Sequence, residues 1–418
     1  MRKSLKHILK LAVRTPAFAY TYIAADRIVA ELYFLKRANR ANSRVFNSCI
    51  LAAPGAGNIG DQALLESALD NSSGRVVVVV RRIGSTHIPE RFRARTDVVS
   101  LPNLVYGNPL ARVRDLLAFL RLASKSRQTW VVGADTMDGA YNPLASIARF
   151  SAAIAAARAG SEARVLGFSW NGEAVPSSIQ SAKIAVRSVQ LLLRDPLSAE
   201  RIRASGVQPV KDCADVVFAR QGAPAQPHGV LEWVRSQRAG ARIAIVNVSG
   251  LISGSLDQTP EYAKFVSYLN ASGWSIVFLP HVSRVGNDDI QSLSLLASSV
   301  NVSDFYLVDE LLSPDQVYEL VSCSHLVLTG RMHLAVLSLL AGTYPITLAT
   351  QGKVEGLYRI LGKPELCVMP IPGFGDELVE RCGDLISHGL FDQRVDDTVI
   401  GHLRDSSIKN FPPAVVFS

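Results

Sequence analysis

The chain has 418 residues, too many for one ordinary core, and two domains are expected. With 48% hydrophobic residues it can bury a sizeable interior, and a formal charge of +8 with a pI near 9.3 favours an anionic partner such as phosphate, phospholipid or nucleic acid. Aromatics make up only 7%, and neither an aromatic-interleaved basic stripe nor a DNA-binding motif is found, so no nucleic-acid partner is expected.

At the N-terminus, Arg2, Lys3, Lys6, Lys10 and Arg14 alternate with Leu5, Ile8, Leu9 and Leu11 at helical spacing. The lysines interrupt any signal-peptide core, and no run reaches the roughly 18 apolar residues of a membrane span. Segment 1–45 therefore reads either as a basic amphipathic helix lying on an anionic membrane face or as a surface helix packed on the first domain. The five cysteines are scattered, odd in number and free of C-x-x-C spacing. A disulfide framework or metal site is not expected, and a reducing cytoplasm fits.

Strands and helices then alternate. NSCILAAP, RVVVVVRRI, QTWVVGAD and ARVLGFSW read as buried strands, separated by helical patterns such as ARVRDLLAFLRLASKS and PLASIARFSAAIAAARAG. QGAPAQPHG reads as a linker, and a second series follows with ARIAIVNVSG, EYAKFVSYLNASG, WSIVFLPHVS, HLVLTG and TYPITLA. Repeated βα alternation means parallel sheets covered by helices. The expectation is an α/β chain of two Rossmann-like doubly wound domains facing a cleft. Its bounds are 46–222 for the first domain, 223–240 for the linker and 241–375 for the second. A possibly helical tail, 376–418, is expected to pack back on the first domain.

The first strand runs into GAGNIGD, which spells G-x-G-x-x-G at Gly55, Gly57 and Gly60. A dinucleotide site wants an acid about 20 residues on, for the ribose. Here Arg81 and Arg82 stand there, which leaves only an NADP reading. Asp61 opposes that too, because its carboxylate would stand in the first helical turn where phosphate belongs. It serves better as a helix-capping acid or as a hydrogen-bond acceptor for a neutral ligand.

The second half holds HLVLTGRMH, where Arg331 and His333 follow a strand and open a helix, the end at which open α/β sheets bind ligands. Arg331 offers a planar fork for carboxylate or phosphate, His333 moves protons near neutral pH, and Lys353 brings a second cation on an adjacent loop. Each alone reads as an ordinary surface or structural residue; three on two adjacent loops favour an anion site.

GAGNIGDQALL, GRMHLAVLSLLAGTYPI and QGKVEGL together closely resemble the polysaccharide pyruvyl transferase family, over about residues 50–366. The shared pattern places Asn58 and Asp61 in the glycine turn, Arg194, Asp195 and Ser198 in R-D-x-x-S, Asp215 before the crossover, and Arg331 and His333 in G-R-x-H. The resemblance implies two domains of glycosyltransferase-B type. It also implies transfer of an enolpyruvyl unit from phosphoenolpyruvate to a sugar diol, giving a cyclic pyruvate ketal and phosphate, with no cofactor and no metal. Under it, Arg194, Arg331, His333, Lys353 and His281 bind the donor, His333 and Arg331 act on it, and Asp61 is a candidate base. Asn58, Asp61, Asp135, Asp138, Trp170 and Asn171 would meet the acceptor, Trp170 by stacking on a sugar face. Where family members carry Gly-Gly-Gly, this chain has Gly133, Ala134 and Asp135, which makes the acceptor the least transferable part. A lipid-linked saccharide assembled in the cytoplasm, at the inner membrane face, would suit the basic N-terminus. The rivals are a nucleotide-sugar glycosyltransferase of the same plan, for which Glu355 is the available ribose carboxylate, and a non-catalytic scaffold in envelope assembly.

Overall fold

The structure, a computed structural model, describes residues 10–35, 44–250, 252, 256–349 and 353–413. The chain divides into two compact units. The first comprises residues 1–55, 64–220 and 406–418; the second comprises 56–63 and 221–405.

The first unit is built on a seven-stranded sheet of β1 (Phe46–Leu51), β2 (Val76–Val80), β3 (Thr96–Ser100), β4 (Ser126–Ala134), β5 (Glu162–Phe168), β6 (Gln190–Leu193) and β7 (Lys211–Asp212). The order is β3-β2-β1-β4-β5-β6-β7 and every pairing is parallel. That is the doubly wound order, in which the direction of strand addition reverses between β1 and β4. Val76–Val80 is buried at every position, because a strand covered on both faces needs no polar alternation. Helices start where the sequence supplies caps. The Asn108 side chain accepts from the Leu110 amide and the Asn142 side chain from the Ala145 amide, each followed by proline at the first helical position. Helix Pro16–Leu35 buries Ala19, Ile23 and Ala30 in this unit's core, and its buried Asp26 pairs with Arg112. Among the residues that suggested an amphipathic N-terminus, Arg2, Lys3, Leu5, Lys6, Ile8 and Leu9 lie outside the described residues.

The second unit repeats the plan with β8 (Ile243–Val246), β9 (Ser275–Phe278), β12 (Phe305–Leu307), β13 (Leu326–Thr329), β14 (Pro345–Leu348) and β15 (Cys367–Val368), ordered β12-β9-β8-β13-β14-β15 and wholly parallel. A short antiparallel hairpin, β10 (Ser283–Arg284) with β11 (Asn287–Asp288), stands between β9 and helix Asp289–Ser299. The α/β class read from the sequence is the one observed.

Three boundaries differ from expectation. Residues 56–63 group with the second unit. The expected linker contains helix Gly229–Ser236, started by His228, whose Nδ1 accepts from the Val230 amide. The expected tail is split: helix Phe374–Ser387 supplies Leu378 and Cys382 to the second core, whereas Ser407 and Asn410 belong to the first unit. There the Asn410 side chain accepts from the Gly167 amide and donates to the Ala214 carbonyl, and Phe411 packs on Trp130. Short apolar runs carry no information about which core they join; these contacts decide it.

Candidate functional site

In the second unit the strand order reverses between β8 and β13, and the polar residues that follow those two strands converge. Asn247, just past β8, donates to the Leu279 carbonyl and to Asp289, and accepts from the Thr329 hydroxyl at the end of β13. Asp289 is fully buried at the start of its helix. Its Oδ2 accepts from the Asn247 side chain, the His281 and Val282 amides and Arg331 Nε; its Oδ1 accepts from the Gly250 amide and Arg331 Nη2. Arg331 also donates to the Asn287 side chain at 2.5 Å, and its backbone amide donates to Thr329 Oγ1. The guanidinium is thus fixed along one edge by a buried carboxylate, while Nη1 has no partner among the described residues.

His281 lies beyond the end of β9 and is 1% exposed, with neither ring nitrogen hydrogen-bonded among the described residues. Burial, and then the nearby positive charges of His333 and Arg331, hold its pKa well below 6.5, so the ring is neutral at physiological pH. His333 is half-buried in the first turn of helix Met332–Leu340. Two histidines and a braced arginine therefore share one polar spot at the carboxyl ends of β9 and β13.

The glycine turn is the fourth component. The Ile59 amide donates to the His281 carbonyl, Asn58 bridges Val282, and the Ser283 amide donates to the Gly57 carbonyl. Gly57 has φ of +73°, and a Cβ on it would lie 2.1 Å from the Ser283 carbonyl oxygen. A Cβ on Gly60 would lie 2.4 Å from His333 Nδ1. These glycines let the turn press against the two histidine segments. The side chains assigned to the acceptor do other work here. Asn58 Oδ1 accepts from the Gly60 amide, closing the turn, and the buried Asp61 carboxylate pairs with Arg284 at 2.9 Å. That carboxylate is already engaged by a guanidinium, which argues against the expectation of Asp61 as the base.

Other expected residues are placed elsewhere. Arg194, in the first unit, is buried, with Nε on Ser169 Oγ and Nη1 on Asp215 at 2.8 Å. Asp195 caps helix Pro196–Ala204 through Ser198, whose hydroxyl also receives the Trp170 amide. R-D-x-x-S is therefore a buried network at the end of β6, in which Arg194 is engaged by Ser169 and Asp215. Trp170 is 1% exposed and packed edge-on to Phe168, so it cannot stack on a sugar. Asp138 is likewise buried, and accepts from the Ala140 and Asn171 amides. Asn171 accepts from the Glu173 amide, and half-buried Asp135 accepts from the Tyr141 hydroxyl at 3.4 Å. Lys353 opens helix Lys353–Leu361, and its side chain lies outside what the structure describes. Sequence reasoning missed Asp289, Asn247, Asn287 and Arg284. For Asp289 and Asn247 a signal existed: a polar residue directly after an apolar strand, and an acid pair opening a helix.

Solved structures share this architecture. UDP-GlcNAc 2-epimerase from Methanocaldococcus jannaschii superposes with a TM-score of 0.55 at 9% identity, covering 87% of this chain and 97% of that one. Sucrose-phosphate synthase from Thermosynechococcus elongatus gives 0.54 at 11% over 86% and 94%, and a glycosyltransferase from Rickettsia africae 0.53 at 8% over 88% and 94%. At such identities the likeness is one of fold. No curated protein matches in sequence. A family model described as polysaccharide pyruvyl transferase matches residues 58–352, a span that includes the glycine turn and G-R-x-H. With that match spanning most of its length, the chain belongs to the polysaccharide pyruvyl transferase family.

Proposed function

We propose that the protein transfers a pyruvyl unit from phosphoenolpyruvate to two hydroxyls of a saccharide, releasing phosphate and leaving a cyclic ketal. The observation that carries this reading is His281, buried and neutral beside Arg331 and His333, with both ring nitrogens unpartnered among the described residues. Orphaned buried polar atoms next to a braced cation await a polar ligand.

Phosphoenolpyruvate carries a carboxylate and a phosphate. Arg331 offers it the N–H groups of Nη1, with Asp289 fixing the plane of the guanidinium. A neutral His281 can donate one N–H to the anion without adding charge. His333, half-buried, is the proton carrier in this reading. Protonation of the donor methylene leaves an electron-poor C2, to which the first sugar hydroxyl adds, its proton replacing the one given to carbon. The second hydroxyl then displaces phosphate, which leaves with that hydroxyl's proton. Cation contacts that strengthen as charge gathers on the departing phosphate lower the barrier.

Ligand-dependent thermal stability tests the donor. Phosphoenolpyruvate at about 100 times its Kd should add about 2.7 kcal/mol by mass action. Arg331→Lys and His281→Asn should abolish the shift. Stabilisation by a nucleotide sugar alone would sink the reading in favour of glycosyl transfer. That second reading has one observation behind it: Glu355, at the start of the helix after β14, has a buried Oε2 without a hydrogen-bond partner among the described residues, as a ribose-binding acid would.

The setting we propose is cytoplasmic saccharide assembly with peripheral membrane contact. Helix Pro16–Leu35 exposes Tyr20, Ile28, Leu32 and Leu35 on one face, with Lys10, Arg14 and Arg27 also exposed. Among the described residues no helix is long and apolar enough to cross a membrane. Cosedimentation with anionic vesicles should occur and be lost in Leu32→Asp/Leu35→Asp; binding unaffected by that change would remove the helix from this role.

A further inference from the structure

The loop that follows β4, residues 135–142, stands in the first unit where the strand order reverses. It lies at the carboxyl ends of the strands, the position at which open α/β sheets bind ligands. The loop is firmly held. Ala134, the last residue of β4, has a left-handed φ of +49°, and its carbonyl accepts from the Ser169 amide. The Thr136 amide and hydroxyl both donate to the Gly133 carbonyl, and Ser146 Oγ donates to the Met137 carbonyl at 2.6 Å. Buried Asp138 accepts from the Ala140 and Asn171 amides, while its carbonyl accepts from the Val175 amide. Gly139, at φ of +82°, presses on helix Pro176–Ala185 so closely that a Cβ would lie 2.3 Å from Ser178 Oγ. Strained backbone persists where the surrounding structure over-determines it, and it clusters at ligand sites.

What this loop presents outward is Asp135 and Tyr141. Near these strand ends Trp170 is buried, and the face of half-buried Tyr106 carries the Arg81 guanidinium, whereas Tyr141 is 47% exposed. The Tyr141 hydroxyl donates to Asp135 Oδ2 at 3.4 Å, so ring and carboxylate stand side by side. A pyranose has the matching chemistry, with C–H groups on its ring faces and hydroxyls around its rim. An aromatic ring packs against the first, and a carboxylate, which accepts up to about four hydrogen bonds, takes the second.

We propose that Tyr141 and Asp135 form the acceptor subsite, Tyr141 stacking on a pyranose face and Asp135 accepting from one of its hydroxyls. This rests on the reading that the acceptor is a saccharide, and not on phosphoenolpyruvate being the donor. The stacking role that the sequence suggested for Trp170 passes to an aromatic on the preceding loop.

Saturation-transfer NMR of the full chain tests it, with methyl β-D-glucopyranoside, methyl β-D-galactopyranoside and methyl α-D-mannopyranoside titrated separately and glycerol as a polyol without a ring. At least one pyranoside should bind saturably, with the largest transfer to ring C–H protons, and glycerol should not. Tyr141→Ala should weaken that binding about threefold or more, and Tyr141→Phe by less than about twofold, since stacking needs the ring and not the hydroxyl. Asp135→Asn should weaken it about threefold or more. Tyr141 is exposed, so both of its variants should keep the parent melting temperature. Phosphoenolpyruvate should stabilise Tyr141→Ala as it does the parent, because the Arg331 site lies in the second unit. The proposal is overturned if no pyranoside binds better than glycerol, if Tyr141→Ala binds as the parent does, if Tyr141→Phe loses as much as Tyr141→Ala, or if Tyr141→Ala alone loses donor-dependent stabilisation. Should phosphoenolpyruvate fail to stabilise the parent while pyranoside binding follows these variants, the donor reading falls and the subsite stands.

Discussion

Replacing Asp289 with asparagine keeps the shape of the side chain and removes its charge, which isolates the buried brace of the second unit. In the parent, Oδ2 faces four donors and Oδ1 faces two. Whichever oxygen becomes an amide NH2, at least two donors then point at a donor, and Arg331 keeps its charge without a counter-ion. Breaking a buried pair from one side costs about 3–5 kcal/mol. For a unit of this size each kcal/mol is worth about 2–4 °C, so calorimetry should record a fall of roughly 6–20 °C. Arg331→Gln in the same background removes the stranded cation. The double variant should therefore be less destabilised than the two singles summed, by about 0.5–3 kcal/mol. Phosphoenolpyruvate-dependent stabilisation should vanish in both singles. An Asp289→Asn protein within about 0.5 kcal/mol of the parent, or a strictly additive cycle, would refute the bracing argument.

Gly60→Ala puts a methyl where the His333 ring lies, and relief by moving that ring should cost about 1–3 kcal/mol and remove donor-dependent stabilisation; retained ligand protection would show the close approach to be dispensable. Ala134, at the end of β4, holds a left-handed φ of +49°, so Ala134→Gly should gain about 1–2 kcal/mol in urea unfolding, and a loss would mean that the Cβ packing outweighs the strain. His281 has a folded pKa well below 6.5 because it is buried, and then because His333 and Arg331 are near. The unfolded chain therefore binds the extra proton. The contribution is fully present above pH 6.5 and is lost as pH falls below it, by about 1.4 kcal/mol per unit until the folded value is reached. Urea midpoints between pH 7.5 and 5 should show a shallower pH dependence in His281→Gln; identical slopes would contradict the buried neutral ring.

The apolar strands were legible because each is a short continuous run between turn residues, as RVVVVV at β2 shows, and burial on both faces demands such runs. The place of Arg331 and His333 was legible too, since they follow a strand and open a helix. What one sequence could not show is which charges cancel. Arg194 and Arg331 look alike on paper, each an arginine directly after a strand. One is held by Asp215 and Ser169; the other keeps Nη1 without a partner among the described residues. Trp170 was misread because a tryptophan at a strand's end reads equally as stacking platform or core filler, and only its contact with Phe168 and its burial decide. Asp289 was overlooked because its five partner residues come from several separate segments of the chain.

The glycine turn connects these points. Its motif matches a phosphate cradle, yet Gly57 and Gly60 are small here so that protein, not ligand, can approach: the Ser283 carbonyl at one, the His333 ring at the other. The turn pins the 281–283 segment through two backbone hydrogen bonds, and Asp289 pins it from the opposite side through the His281 and Val282 amides. With its backbone clamped twice, the His281 segment is held in place where the ring is buried and its nitrogens have no partner among the described residues. Asp61 and Arg284 lock the same clamp, since Arg284 also donates to the Ala56 carbonyl. The residues that suggested a cofactor loop therefore act one step back from the chemistry, holding in place the histidines that we propose meet the donor.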